Sequence, residues 1–263
     1  MTQQPIGVID SGVGGLSVLR ALQRRLPARQ FVYVCDQAHV PYGTKSKAVV
    51  RTLTWRLVRQ ALACDVQALV IGCNTITALM LAELTAALPI PVFGIIEAGS
   101  QAANQTSQTH TIGVIGTERT IQERAYVRAL HRESPRNRVV QLACQSFVSM
   151  VENLPLTRAQ VVQVDRQLAG LKTPGMDTVV LGCTHFPLMR ATIQAALGPA
   201  VQLVDPAITL AAQVAMTLEG ATRLARQPGA RHDQYYTTGQ PERLAQVAMD
   251  WLAVPVEVRA LRG

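Results

Sequence analysis

The chain reads as an α/β protein with two similar doubly wound domains, mostly parallel sheets and an active-site cleft between the domains. Three observations predict this. Along the 263 residues, apolar β-branched runs alternate with stretches of helical periodicity, as in strands joined by crossover helices. Three strand-like segments also recur in one order: residues 6–11 with 112–117, 31–35 with 140–144, and the run ending Gly72-Cys73 with the run ending Gly182-Cys183. Their offsets are 106, 109 and 110, which marks an internal pseudo-repeat. Finally, Gly72-Cys73-Asn74-Thr75 and Gly182-Cys183-Thr184-His185 each close a buried-strand run. Each places a thiol at a carboxyl strand edge, where open α/β sheets bind ligands.

The elements follow in order. Residues 6–10 form the first strand. Asp10-Ser11-Gly12-Val13-Gly14-Gly15-Leu16-Ser17 then turns into a helix over 15–26. This turn lacks the Lys of a phosphate loop, and Ser17 stands where the dinucleotide fingerprint needs Gly. Its amides and helix N-terminus suit an anion such as a carboxylate, although a tight structural turn explains the same glycines. Asp10, at a strand edge, can act as acid, base or partner to a thiol. Residues 31–35 are the second strand. Pro41-Tyr42-Gly43-Thr44 is a turn that caps a ligand or merely reverses the chain, and a helix over 46–62 leads to the strand at 68–71. A short strand at 92–96 precedes a helix opening at Glu97-Ala98-Gly99.

In the second half, helices are predicted over 120–130 and 158–168, with a strand ending at 201–206. A helix over 208–224 and a loop over 226–233 lead to the tail. There a strand at 234–238, a helix with Pro241 near its start and a last strand around 254–258 complete the first domain. The expected domains are therefore 1–96 plus 208–263, and 97–207.

The bulk composition excludes several classes. There is no basic, apolar leader and no run of about 18 apolar residues, so neither a secretory signal nor a membrane span is expected. Five cysteines, none in a CxxC pair, suit a reduced, cytoplasmic protein. Cys183-x-His185 is a poor ligand pair, and no other pair has zinc spacing, so no metal is expected. The net charge of +8 resides in residues 20–59, where nine basic residues accompany Asp36 alone. Without an aromatic platform or a nucleic-acid motif, that stretch reads as a solvated face, and nucleic acid is not an expected partner.

A lone cysteine is usually a small buried hydrophobe. Cys73 and Cys183 are set apart by their equivalent placement, each followed by hydrogen-bonding residues. Asn74, Thr75 and Thr184 offer neutral groups suited to carboxylate and ammonium, and His185 can tune the Cys183 thiol or relay its proton. Two thiols facing across a cleft suit a reaction that needs an acid and a base on opposite faces of one carbon. Cys35, Cys64 and Cys144 read as structural.

With these residues assembled, the chain resembles the glutamate racemases of the aspartate/glutamate racemase family. The strings that carry the resemblance are residues 7–16, Val40-Pro41-Tyr42-Gly43, Cys73-Asn74-Thr75, residues 113–118, residues 147–152, and Leu181-Gly182-Cys183-Thr184-His185-Phe186-Pro187-Leu188. The tail around 235–243 also fits. The resemblance implies cofactor-independent interconversion of L- and D-glutamate, supplying D-glutamate for peptidoglycan, by a homodimer. It makes Cys73 and Cys183 the acid/base thiols, Asp10 and His185 their auxiliary groups, and Glu152 a further acidic position. It assigns substrate contact to Asp10, Ser11, Tyr42, Gly43, Asn74, Thr75, Thr117, Thr184 and His185. The chain lacks the N-terminal extension of relatives regulated by a peptidoglycan precursor, so that regulation is not expected. Departures such as Ile76, Gln145 and Ser149 concern packing behind the site. Two alternatives stay open: a racemase of aspartate or another amino acid, and a two-lobed amino-acid-binding protein without catalysis.

Overall fold

The structure, a computed structural model, describes residues 4–219 and 232–261. The first half runs β1 (Ile6–Asp10), α1 (Leu16–Arg25), β2 (Phe31–Cys35), α2 (Lys47–Leu62), β3 (Ala68–Ile71), α3 (Asn74–Ala87), β4 (Val92–Gly94) and α4 (Ile95–Thr106). The second runs β5 (Thr111–Gly116), α5 (Glu118–Gln122), α6 (Ala125–Glu133), β6 (Arg138–Ala143), α7 (Ser146–Glu152), α8 (Arg158–Ala169), β7 (Thr178–Gly182), α9 (Arg190–Leu197), β8 (Gln202–Val204) and α10 (Pro206–Glu219). The tail adds β9 (Gln234–Thr237), α11 (Pro241–Leu252) and β10 (Val258–Ala260).

Two sheets result, of order β10-β9-β2-β1-β3-β4 and β6-β5-β7-β8, and every pairing in them is parallel. Helices cover both faces of such sheets, so strands must be apolar throughout. Every residue of β1, β2, β3, β5 and β7 is accordingly buried. The helices show the complementary pattern. In α1, Leu16, Val18, Leu19 and Leu22 face inward, while Arg24 and Arg25 occupy the last turn, where the helix dipole favours cations. Side chains from α1, α4, α6 and α10 join both sheets in one central core, and a separate core lies on the far side of each sheet.

The pseudo-repeat is visible in the topology. β2-β1-β3-β4 and β6-β5-β7-β8 are the same arrangement twice, with a cysteine just past the third strand of each. The registers correct one detail. Ile6 pairs with Phe31 and Ile112 with Val139, so the middle offset is 108 and Cys35 corresponds to Ala143, not Cys144. One residue matters because a single-position slip turns a side chain to the opposite face.

Three further expectations shift. The helix over 120–130 is two helices, α5 and α6, broken where Arg124 adopts a left-handed conformation at φ 50°. Apolar periodicity runs through this break and so does not reveal it. The last strand begins at Val258 rather than around 254, because Pro255 has no N–H for a ladder. α10 starts at Pro206, and the rest of the helix predicted to 224, with most of the loop at 226–233, lies outside the described residues. No helix among the described residues is long and apolar enough to cross a membrane.

Candidate active site

The carboxyl edges of the two sheets meet around a small cavity. From the first half it is lined by Ser11, Tyr42, Gly43, Cys73, Asn74 and Thr75. From the second it is lined by Thr117, Val148, Cys183, Thr184 and His185. The sequence-predicted residues thus converge, with two exceptions. Asp10 is fully buried beneath Ser11, and Glu152 stands behind His185 on an outer cavity. Cys35, Cys64 and Cys144 do not line the cavity.

The turn after β1 brings the halves together. Tyr33 donates to the Gly12 carbonyl at 2.6 Å, and Ser17 donates to the Thr184 carbonyl at 3.1 Å. Gly14 permits the approach: a Cβ there would stand 2.5 Å from both His185 Nδ1 and Thr184 Oγ1. On the opposite rim, Gly43 packs against Thr117 and Gln145, and Arg119 Nε donates to the Lys45 carbonyl at 3.2 Å.

The two thiols are similarly buried, at 5% and 6% exposure, but have different neighbours. Cys73 caps α3, and its Sγ lies 3.4 Å from Ser11 Oγ. Burial, with the Asp10 carboxylate nearby, pushes its thiol up to about 12, against the pull of Ser11 and the Ile76 amide. Cys183 Sγ lies 3.8 Å from His185 Nδ1, and His185 Nε2 lies 2.8 Å from Glu152 Oε1. Burial would lower His185, but its bonds to Cys183 and Glu152 prevail and carry it up to about 10. An imidazolium there offers a thiolate its counter-charge.

Asp10 lies between the two sides. Its Oδ1 accepts from the Gly12 amide at 3.1 Å and its Oδ2 from Thr184 at 3.4 Å. Burial raises it to about 6, with His185 and these bonds opposing.

The rest of the lining is neutral and polar. Thr75 Oγ1 and Thr117 Oγ1 are 2.9 Å apart, and each also meets Thr120. Asn74 Oδ1 accepts from Tyr126 at 2.8 Å, and its buried Nδ2 has no partner among the described residues. A buried donor left open in this way is costly unless a ligand completes it. Tyr42 presents its ring, because its hydroxyl already donates to Asp36 at 2.6 Å.

Sequence reasoning missed this supporting layer of Thr120, Tyr126, Asp36 and Ser17. Tyr126 and Asn74 are 52 residues apart, and no spacing rule links them. Among the described residues, no group of three or more His, Cys, Asp or Glu is placed to hold a metal ion.

Residues 6–214 match the Asp/Glu/hydantoin racemase family. A curated glutamate racemase from Streptococcus pneumoniae serotype 19F (strain G54) is 40% identical over 98% of both chains. The crystal structure of a glutamate racemase isoform from Bacillus anthracis superposes with a TM-score of 0.92 at 34% identity, covering 99% of this chain and 98% of that one. The glutamate racemase from Francisella tularensis, solved with D-glutamate, gives a TM-score of 0.88 at 29% identity, covering 98% and 97%. This chain belongs to the Asp/Glu/hydantoin racemase family.

Proposed function

We propose that this enzyme interconverts L- and D-glutamate by proton transfer between two thiols, Cys73 and Cys183, acting on opposite faces of the α-carbon. The observation that carries the reading is the placement of the thiols. Each follows the third strand of one half, and both line one cavity. A two-lobed binding protein needs no such pair. D-Glutamate made this way would serve peptidoglycan synthesis.

The chemical difficulty is the weak acidity of the α-proton. One thiolate takes it while the opposing thiol delivers a proton to the other face, so charge on the α-carbon stays small. Neutral donors then hold the carboxylates: the open Nδ2 of Asn74 and the hydroxyls of Thr75 and Thr117. Ser11 and Thr184, whose protons go to Asp10, turn lone pairs to the ammonium. The substrate ammonium brings a positive charge beside the Cys73 thiol, which burial otherwise holds neutral, and so favours its ionised form. Asp10 supports the Cys73 side through Ser11, and His185 with Glu152 supports Cys183.

Circular dichroism of separate L-glutamate and L-aspartate samples, with no added cofactor, tests the reading. Loss of optical signal from glutamate, with aspartate unchanged, is expected. Racemisation of aspartate in preference would overturn the substrate assignment, and an unchanged signal from both would leave a binding protein.

A further inference from the structure

Arg243 lies on α11, in the tail that completes the first sheet, 91 residues from Glu152. Its Nη2 donates to Glu152 Oε2 at 3.4 Å, while Glu152 Oε1 meets His185 Nε2 at 2.8 Å. His185 Nδ1 in turn faces Cys183 Sγ at 3.8 Å. These contacts form one chain from the tail helix to one thiol. Among the described residues Cys73 has no counterpart to it, since its neighbours Ser11 and Asp10 close on the Gly12 amide and Thr184.

Glu152 side-chain exposure is 13% and that of Arg243 is 53%, so the guanidinium closes the chain at the rim of an open outer cavity. A carboxylate held at one oxygen only can rotate its charge toward the open cavity. With Oε2 held by Arg243, Oε1 stays on the imidazole, and the imidazole keeps its edge toward Cys183. We propose that Arg243 is a positioning residue for the Cys183 half of the reaction, acting through Glu152 and His185 without touching the substrate. The inference rests on the two-thiol reading. A rim cation that merely attracted anionic substrate would serve both thiols alike, and that difference makes the proposal testable.

Two single-thiol backgrounds separate the halves: Cys73→Ala keeps Cys183, and Cys183→Ala keeps Cys73. Each is assayed with both α-enantiomers of 3-chloroglutamate, following chloride release. The remaining thiolate takes the α-proton, the C–H electron pair forms the Cα=Cβ bond, and chloride departs with the Cβ–Cl pair. The enamine then takes up water and loses ammonium to give 2-oxoglutarate. Arg243→Gln is expected to lower kcat in the Cys73→Ala background about fivefold, the scale of a partly exposed ion pair, with KM little changed. In the Cys183→Ala background the rate should stay within about twofold. Arg243→Lys, which keeps the charge, should recover most of the loss. Equal losses in both backgrounds, or none with Cys183 alone, would overturn the proposal. If neither parent background released chloride while the unmutated enzyme racemised glutamate, the two-thiol reading itself would fail and the Arg243 proposal with it.

Discussion

Cys73 and Cys183 occupy equivalent positions and are almost equally buried, yet the chain equips them with different helpers. Cys73 has a helix N-terminus, a serine and a buried carboxylate, whereas Cys183 has an imidazole backed by Glu152. On the two-thiol reading, neither set substitutes for a missing thiol. Cys73→Ala and Cys183→Ala should each abolish racemisation, followed by circular dichroism, and full activity in either variant would rule out the two-thiol scheme. Asp10 carries a testable thermodynamic sign. Its folded value of about 6 lies above the ordinary 3.8, so its contribution to stability is complete below about 3.8 and is lost as pH rises through 6. Asp10→Asn should therefore melt higher than the unmutated protein at pH 8, by the equivalent of roughly 2–3 kcal/mol. The gain should vanish near pH 4, and turnover should fall. With Asp10 at about 6 and His185 at about 10, kcat/KM should decline below the first value and above the second. A flat profile between pH 5 and 11 would exclude both groups from the rate.

At the scale of elements, the site depends on two backbone turns that close against each other. Gly14 is a point of close approach, and the side chains it faces belong to the other half of the molecule. A methyl group there must push Thr184 and His185 away from the cavity. Gly14→Ala should lower kcat at least about tenfold, since a small misplacement near reacting atoms is costly, while the melting temperature moves little. Much of this level was legible in the chain. The strand runs, the Gly-Cys strings and their spacing located both thiols and the sheet edge that carries them, because strand endings are written in contiguous residues. Arg124, Pro255 and the register of Cys144 mark the limit. A left-handed residue, a missing ladder donor and a one-residue slip barely disturb a periodic pattern, yet each moves an element. Tyr126 and Arg243 were invisible for another reason: each meets its partner only after the sheets have assembled.

On the scale of the molecule, the tail is part of the first sheet rather than an appendage. β9 pairs with β2, and Leu244 and Ala248 of α11 enter the central core. A chain ending at residue 231 would expose the β2 edge and uncover that core, so it should aggregate, as light scattering would report. The same tail brings Thr238 to Asp36 and Arg243 to Glu152, so folding of the last segment and completion of the site are linked. The unequal surroundings of the two thiols meet a constraint from outside the protein. Mirror-image substrates have identical free energies in water, so the equilibrium constant is one and kcat/KM must be the same in both directions, however differently the two sides are built. The asymmetry can show itself only as a trade. The enantiomer that binds more tightly must turn over more slowly by the same factor, and a substitution on one side must rescale both directions of the overall reaction together.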